Sequence, residues 1–142
     1  MRYAIFELCT VVGVIAVGLA MDAAPAWAHH SFAAEYDSSK PLKLTGAVTK
    51  VDWANPHVYF YIDVKDENGK VINWAFEMGA PAVLTRSGWK RSSVKIGDLI
   101  TVDGTRAKDG GPHGNARTVT MTNTGQRLGA GSSEGQAATP AN

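Results

Sequence analysis

Cysteine is almost absent from this sequence of 142 residues, which contains a single one, Cys9. That residue lies in an N-terminal stretch with the order of a secretory signal peptide: Arg2, an apolar run over 11–20, and the small-x-small sequence AWA at 26–28. Cleavage after Ala28 would remove the only thiol. The mature protein would then have neither a disulfide nor a Cys-ligated metal, and thiol catalysis is excluded.

A hydrophobic run long enough to cross a bilayer is also missing. The run over 11–20 is too short, because a membrane-spanning helix needs about 20 consecutive apolar residues. We therefore expect residues 1–28 to be a cleaved signal peptide, so that the protein is periplasmic or secreted and keeps no stable membrane span. A retained N-terminal anchor is the alternative.

Clusters of basic residues are missing as well. The chain has 14 Lys and Arg and 13 Asp and Glu, of which residues 1–28 hold one and two, so the remaining chain carries a net charge of +2. A surface that follows nucleic-acid phosphates usually needs clustered Lys and Arg. Nucleic acid is therefore not an expected partner.

The sequence motifs of common enzymes are missing too. No G-x-S-x-G nucleophile elbow, no H-E-x-x-H helix and no phosphate-binding P-loop occurs. The carboxylates Asp52, Asp63 and Glu77 lie near the central motif described below, but on their own they indicate no reaction. The sequence therefore predicts a protein that is not an enzyme.

What the sequence does contain is strong alternation of apolar and polar residues over 57–65, which predicts a half-buried β-strand. The set predicted to face the core is Val58, Phe60, Ile62 and Val64. The set on the opposite face is His57, Tyr59, Tyr61, Asp63 and Lys65.

The strand that follows is predicted to form a hairpin with this one. A three-residue loop over 67–69 sets Val64 opposite Ile72 and keeps the two apolar faces on one side. Gly69 then takes the left-handed position of the turn. A two-residue loop would set core residues against solvent-facing ones, so we prefer the longer loop.

The remaining elements are short. The apolar positions change parity after residue 48, which predicts a β-bulge near residues 49–50. The later elements are, in order, a helix between Pro81 and Gly88 and strands over 99–105 and 117–123. This order of elements is that of the OB-fold. We therefore predict an all-β protein, a small OB-like five-stranded barrel with one short helix between strands 3 and 4; a five- or six-stranded sandwich is the alternative.

The barrel is predicted to span residues 44–127. A lead-in segment over 29–43 precedes it, where Phe32 and Tyr36 are the residues that would attach the segment to the barrel. Residues 128–142 are mainly Gly, Ala, Ser and Thr with no large aromatic side chain, so we expect a disordered tail.

Several residues occur together as they do in a known family. They are His29-His30-Ser31-Phe32, Gly46, Val48, Trp53, Asn55-Pro56-His57, Trp74, Gly88-Trp89 and Gly97-Asp98. On this basis the chain from His29 to near Arg127 resembles a family of small secreted bacterial proteins classed as a domain of unknown function, DUF6152. The resemblance implies a periplasmic or exported small β protein and assigns no catalytic residues.

Three histidines form the candidate metal site. If the signal peptide is cut after Ala28, the α-amine and ring Nδ1 of His29 can chelate one ion, an arrangement that suits Cu(II). His30 or His57 would complete the site. The alternative is that His29 and His30 form a terminus without a metal.

An aromatic strand face is the second candidate site. Trp53, Tyr59 and Tyr61 would form a platform of the kind on which OB-fold barrels bind sugars or oligonucleotides. The alternative is that Trp53 packs in the core and the tyrosines cover the lead-in segment. Asn55 is predicted mainly to shape the turn before Pro56, with a ligand contact as the second interpretation.

Together these patterns predict an exported, noncatalytic binding protein for an unknown small ligand, with Cu(II) as the candidate metal. The alternative is a sugar- or protein-interaction module of the cell envelope. Glu77 is predicted to lie beside Tyr59 across the hairpin and is a candidate additional ligand near His57. We expect it instead to be a solvated carboxylate at a strand end.

Overall fold

A computed structural model of the chain describes residues 32–134. Most of these residues lie in β-strands. The helices of this part are α1 (Phe32–Glu35) and α2 (Pro81–Arg86), and its strands are β1 (Tyr36–Asp52), β2 (Tyr59–Lys65), β3 (Val71–Glu77), β4 (Leu99–Ala107), β5 (His113–Met121) and β6 (Arg127–Gly129). The predicted signal peptide, residues 1–28, lies outside the described residues.

The six strands form one sheet in the order β3-β2-β1-β4-β5-β6. Adjacent strands in that order are antiparallel, and β3 also pairs in parallel with β5. The all-β class is confirmed, and helix α2 lies between β3 and β4 as predicted. β6 adds a sixth strand to the five that the sequence predicts.

The core lies under the apolar face of β2. Val58, Phe60, Ile62 and Val64 are at most 9% exposed, as the alternation predicts. The predicted hairpin register is confirmed, with Val64 opposite Ile72, Ile62 opposite Trp74 and Phe60 opposite Phe76. Gly69 has a φ of 80° and takes the left-handed position of the turn.

Strand β1 is longer than the sequence suggests. The register against β2 shifts between Val48 and Lys50, which confirms the predicted bulge. The strand begins at Tyr36, however, and not near Leu44. The reason is backbone pairing with β4, which continues to Tyr36 opposite Ala107 after an irregularity that accommodates the polar residues before Pro41. Because these residues are polar, they show no apolar alternation, and the sequence pattern does not predict the extension.

Helix α2 begins and ends where the sequence predicts. Pro81 occupies the first turn, where its missing N–H costs no hydrogen bond. After the helix Gly88 has a φ of 92°. The backbone N–H of Trp89 donates to the carbonyl of Leu84 at 3.0 Å, and both side chains are buried. The helix is thereby attached to the core.

The first part of the predicted tail is folded. Ala130 is fully buried, and its N–H donates to the carbonyl of Arg117 at 2.8 Å. The side chain of Trp89 donates from Nε1 to the Gly129 carbonyl at 2.7 Å. Leu128 packs partly buried against the core, and the small residues after it lie close enough for backbone pairing, so residues 128–134 differ from the disordered tail predicted; residues 135–142 lie outside the described part.

Strand β5 also begins earlier than predicted, at His113 instead of Arg117. Neither helix among residues 32–134 has the length and apolarity needed to cross a membrane.

Candidate functional site

The outer face of β2, opposite the core, carries Tyr59 and Tyr61, with His57 just before the strand. All three side chains are half-buried. Across the hairpin, Tyr59 lies opposite Glu77 and Tyr61 lies opposite Ala75. This part of the sheet therefore presents a histidine, two phenols and a carboxylate within one hairpin.

Glu77 is the centre of a buried hydrogen-bond network. The residue is 6% exposed although it carries a carboxyl group. The hydroxyl of Tyr36 donates to its Oε2 at 2.5 Å, and Nδ1 of His57 contacts its Oε1. Both oxygens thus have a partner, which a buried carboxylate needs because an unpaired one is costly.

The two tyrosines beside Glu77 respond to its charge and to burial. Burial raises the pKa of the Tyr36 hydroxyl far above its ordinary value, and the hydrogen bond to Glu77 raises it further. Burial also raises the pKa of Tyr59, with a further contribution from the charge of Glu77. Both phenols therefore stay protonated at physiological pH and act as neutral groups.

The ring of His57 keeps one nitrogen open. Its side chain is 26% exposed, and Nδ1 is the atom that contacts Glu77. Within residues 32–134 its Nε2 makes no hydrogen bond. A histidine whose Nδ1–H is donated to a carboxylate presents the lone pair of Nε2 outward, ready to bind a metal or accept a proton.

A groove runs along the same outer face. Ala75 forms its floor, with Tyr61 opposite on β2 and His113 opposite on β5. Because the central side chain is small and its neighbours are large, the surface dips between them. The groove has a volume of about 420 Å³. An adjoining depression of about 550 Å³ shares Glu35, Tyr59 and His113 with it.

The predicted aromatic trio is divided by the fold. Tyr59 and Tyr61 line the groove. Trp53 packs partly buried against the core instead, and the guanidinium of Arg91 lies 5.9 Å from its ring centroid. Asn55 is exposed and precedes Pro56 through a cis peptide bond, and it does not line the groove.

The predicted metal ligands are only partly within the described chain. His57 is placed as above, whereas His29 and His30 lie outside the described residues. Among residues 32–134, no three side chains of His, Cys, Asp or Glu lie close enough together to hold a metal ion. A metal held at His57 by three ligands of these types would need at least one of them from outside this part of the chain.

Sequence reasoning missed two residues of the network. Glu77 was predicted to be solvated, and that prediction is wrong because the side chain is 6% exposed. Tyr36 was assigned only an attaching role. The predicted hairpin register already set Glu77 opposite Tyr59, and this was the one available signal for a carboxylate near an imidazole. Its burial depends on Tyr36, which arrives from the unpredicted start of β1.

Comparison with models of known protein families gives a match over most of the chain. The model of a protein family described as a family of unknown function, DUF6152, matches residues 16–117. This confirms the resemblance drawn from the sequence motifs. No curated protein matches the chain.

Proposed function

The chain belongs to the DUF6152 family of unknown function, and we propose that it is an exported, noncatalytic binding protein that holds Cu(II) through His57, His29 and His30. The observation that carries the proposal is the contact between His57 Nδ1 and the buried carboxylate of Glu77. Histidines that bind metals almost always donate their other ring N–H to such a group, which orients the ring and strengthens the ligand.

The remaining ligands would come from the new N-terminus. A chain cut before His29 would have its α-amine within about 11 Å of the Cα of Phe32, because three residues span no more than this. Phe32 packs on Tyr36 with ring centroids 5.3 Å apart. Tyr36 in turn donates to Glu77. The segment that follows His30 is thus attached to the same network as His57.

Copper is the metal that best suits this set. An α-amine and imidazoles are nitrogen ligands, which Cu(II) favours in tetragonal geometry. Glu77 has both oxygens engaged and serves to orient His57 without binding the ion itself.

The test is a titration of residues 29–142 with Cu(II). Calorimetry measures the stoichiometry and affinity, and electron paramagnetic resonance identifies the coordinating atoms. We expect one ion per chain with nitrogen coordination. Binding should be lost when one extra residue precedes His29. It should weaken by about 10- to 100-fold in Glu77→Gln, because the ring of His57 is then less well oriented.

His113→Ala is the matched control. Its side chain is 31% exposed, similar to the 26% of His57, and it lies beside a carboxylate, Asp109, at 3.6 Å. Copper affinity should not change in this variant. Unchanged affinity in a His29→Ala, His30→Ala and His57→Ala triple variant would refute the copper site.

A second candidate function is a small-ligand or interaction module of the cell envelope. The observation that favours it is the groove with a floor of Ala75 and walls that include Tyr59 and Tyr61. Concave surfaces with aromatic walls and a few polar groups are the usual form of ligand sites. Binding at this groove does not require copper.

We also infer that the sheet closes into a small OB-like barrel. What supports this is the ring of pairings β1-β2-β3-β5-β4-β1, in which each of five strands has two partners. The parallel contact of Ala75 with His113 joins the two ends of the ring. In OB-fold proteins the face of strands 2 and 3 is the ligand-binding face, which is the face that carries the groove here.

A further inference from the structure

The groove on the outer face, defined by Tyr36, Tyr59, Tyr61, Asn73, Ala75 and His113 together with Glu35 at its end, has walls suited to a cation. Tyrosine rings present a negative π-face. One such contact already exists, since Nζ of Lys50 lies 5.0 Å from the ring centroid of Tyr61. The rings of this groove therefore offer both apolar contact and electrostatic attraction to a positive group.

The groove offers two side-chain hydrogen-bond acceptors, on Asn73 and Glu35, beside the phenols and the His113 ring. The amide nitrogen of Asn73 already donates to Asp63 at 2.7 Å and to Thr49 at 3.0 Å, which leaves its Oδ1 for a ligand. Glu35 adds a half-buried carboxylate. A ligand with several donors can therefore bond to both acceptors.

The charged side chains in and around the groove also favour a cation over an anion. Among the described residues, the adjoining depression is lined by two carboxylates, Glu35 and Asp109, and by one lysine, Lys108, which keeps its charge and donates from Nζ to the carbonyl of Ala33. Behind Tyr59 lies the buried carboxylate of Glu77. An anionic ligand would face repulsion from these carboxylates, whereas a cation would be attracted.

We propose that this groove binds an alkyl ammonium group, supplied by a free di- or polyamine. The alkyl chain lies over Ala75 between the ring of Tyr61 and His113; one ammonium group of the amine donates to Glu35 and another to Oδ1 of Asn73. An ammonium ion has three donors and no acceptor, so it matches these two acceptors. The inference rests on the second candidate function and is independent of the copper site.

The test uses residues 29–142 and 1,5-diaminopentane, with binding followed by calorimetry and by NMR shifts of the Tyr61 and Ala75 amides. The neutral 1,5-pentanediol and the anionic glutarate are ligand controls of equal length. We expect saturable binding of the diamine alone, with shifts confined to the groove. Equal binding of the diamine and the diol would overturn the proposal.

Two substitutions test the site itself. Ala75→Leu fills the floor of the groove and should weaken diamine binding about tenfold or more, because the new side chain occupies the space of the alkyl chain. Ala82→Leu, at an exposed position of α2, is the matched control and should bind normally. Glu35→Gln should weaken binding about tenfold through loss of a charge-assisted hydrogen bond. Normal binding by both groove variants would overturn the proposal.

Two further measurements distinguish a free amine from a lysine side chain as the ligand, and the groove from the copper site. A lysine-containing peptide with blocked termini carries the same ammonium chemistry. Weaker binding of this peptide than of the diamine supports a free amine as the ligand, and tighter binding contradicts that source. His57→Ala should lose copper binding and keep diamine binding. A failure of the copper proposal would therefore not affect the test of amine binding.

Discussion

The two faces of strand β2 differ in what their side chains do. On the inner face Phe60 and Ile62, like Val58 just before the strand, are at most 1% exposed and belong to the apolar core. On the outer face Tyr59 and Tyr61 are half-buried and border a groove. Successive residues of a strand point to opposite sides, so a single segment supplies both surfaces.

This difference indicates that the inner face mainly determines stability and that the outer face carries the candidate binding groups. The inner face holds the sheet together by burial of apolar area. The outer face holds a histidine in a defined orientation through a buried carboxylate, and it leaves polar groups within reach of a ligand. Substitutions on one face should therefore affect unfolding, and most substitutions on the other should affect binding.

The largest effect on stability is expected at the inner face. Phe60→Ala should lower the free energy of unfolding by about 3–5 kcal/mol, because a fully buried ring that stacks on Phe76 is replaced by a cavity. Urea unfolding followed by circular dichroism measures it. Its neighbour Tyr61→Ala should cost about 1 kcal/mol or less. Equal losses of unfolding free energy in the two variants would contradict the assignment of stability to the inner face.

Glu77 is the exception on the outer face, and its removal should have the next largest effect. Glu77→Ala leaves the Tyr36 hydroxyl buried without its acceptor, so we expect a loss of about 1–3 kcal/mol in urea unfolding. Asp63→Ala removes a half-buried carboxylate of the same face that accepts from Asn73. It should cost about 0.5 kcal/mol. A larger loss at Asp63 than at Glu77 would contradict the network.

The hydroxyl of Tyr36 should have a smaller effect. Tyr36→Phe keeps the ring against Phe32 and removes one hydrogen bond, so the free energy of unfolding should fall by about 0.5–1.5 kcal/mol. Tyr61→Phe is the control, because its phenol lines the groove, and it should leave stability unchanged. No difference between the two variants would argue against the bond to Glu77.

The smallest effect is expected in the pH dependence of unfolding. Burial raises the pKa of Tyr36 in the folded state above the ordinary tyrosine value of 10.0, so the folded protein binds that proton more tightly than the unfolded chain. The stabilisation is complete below pH 10.0 and is lost as pH rises above that value. Tyr36→Phe should show a shallower decline in urea midpoint over this range. An equally steep decline would exclude Tyr36 as its source.

Much of the inner face could be predicted from sequence. Alternation with period two identified Phe60 and alternate residues of its strand as core, and matching the two apolar faces across a three-residue loop predicted the register of the hairpin. These signals are local, since each depends on residues within about ten positions. The same holds for helix α2, where Pro81 and Gly88 mark the ends.

The candidate site could be predicted only in part, because its key contacts are distant in sequence. Tyr36 and Glu77 are 41 residues apart and meet through a strand whose start is polar. The groove depends on the parallel pairing of Ala75 with His113, which no apolar pattern indicates. Sequence therefore identified His57, Tyr59 and Tyr61 as exposed candidates but did not predict the buried carboxylate that orients the histidine.

The orientation of His57 is the central claim, and its most direct test is the ring tautomer. Nitrogen-15 NMR of the metal-free protein, recorded at rising pH until the ring signals stop changing, shows which ring nitrogen carries the proton of the neutral imidazole. With Nδ1–H donated to Glu77, the account predicts a protonated signal at Nδ1 and an unprotonated one at Nε2. A ring protonated at Nε2 with a free Nδ1 would contradict it.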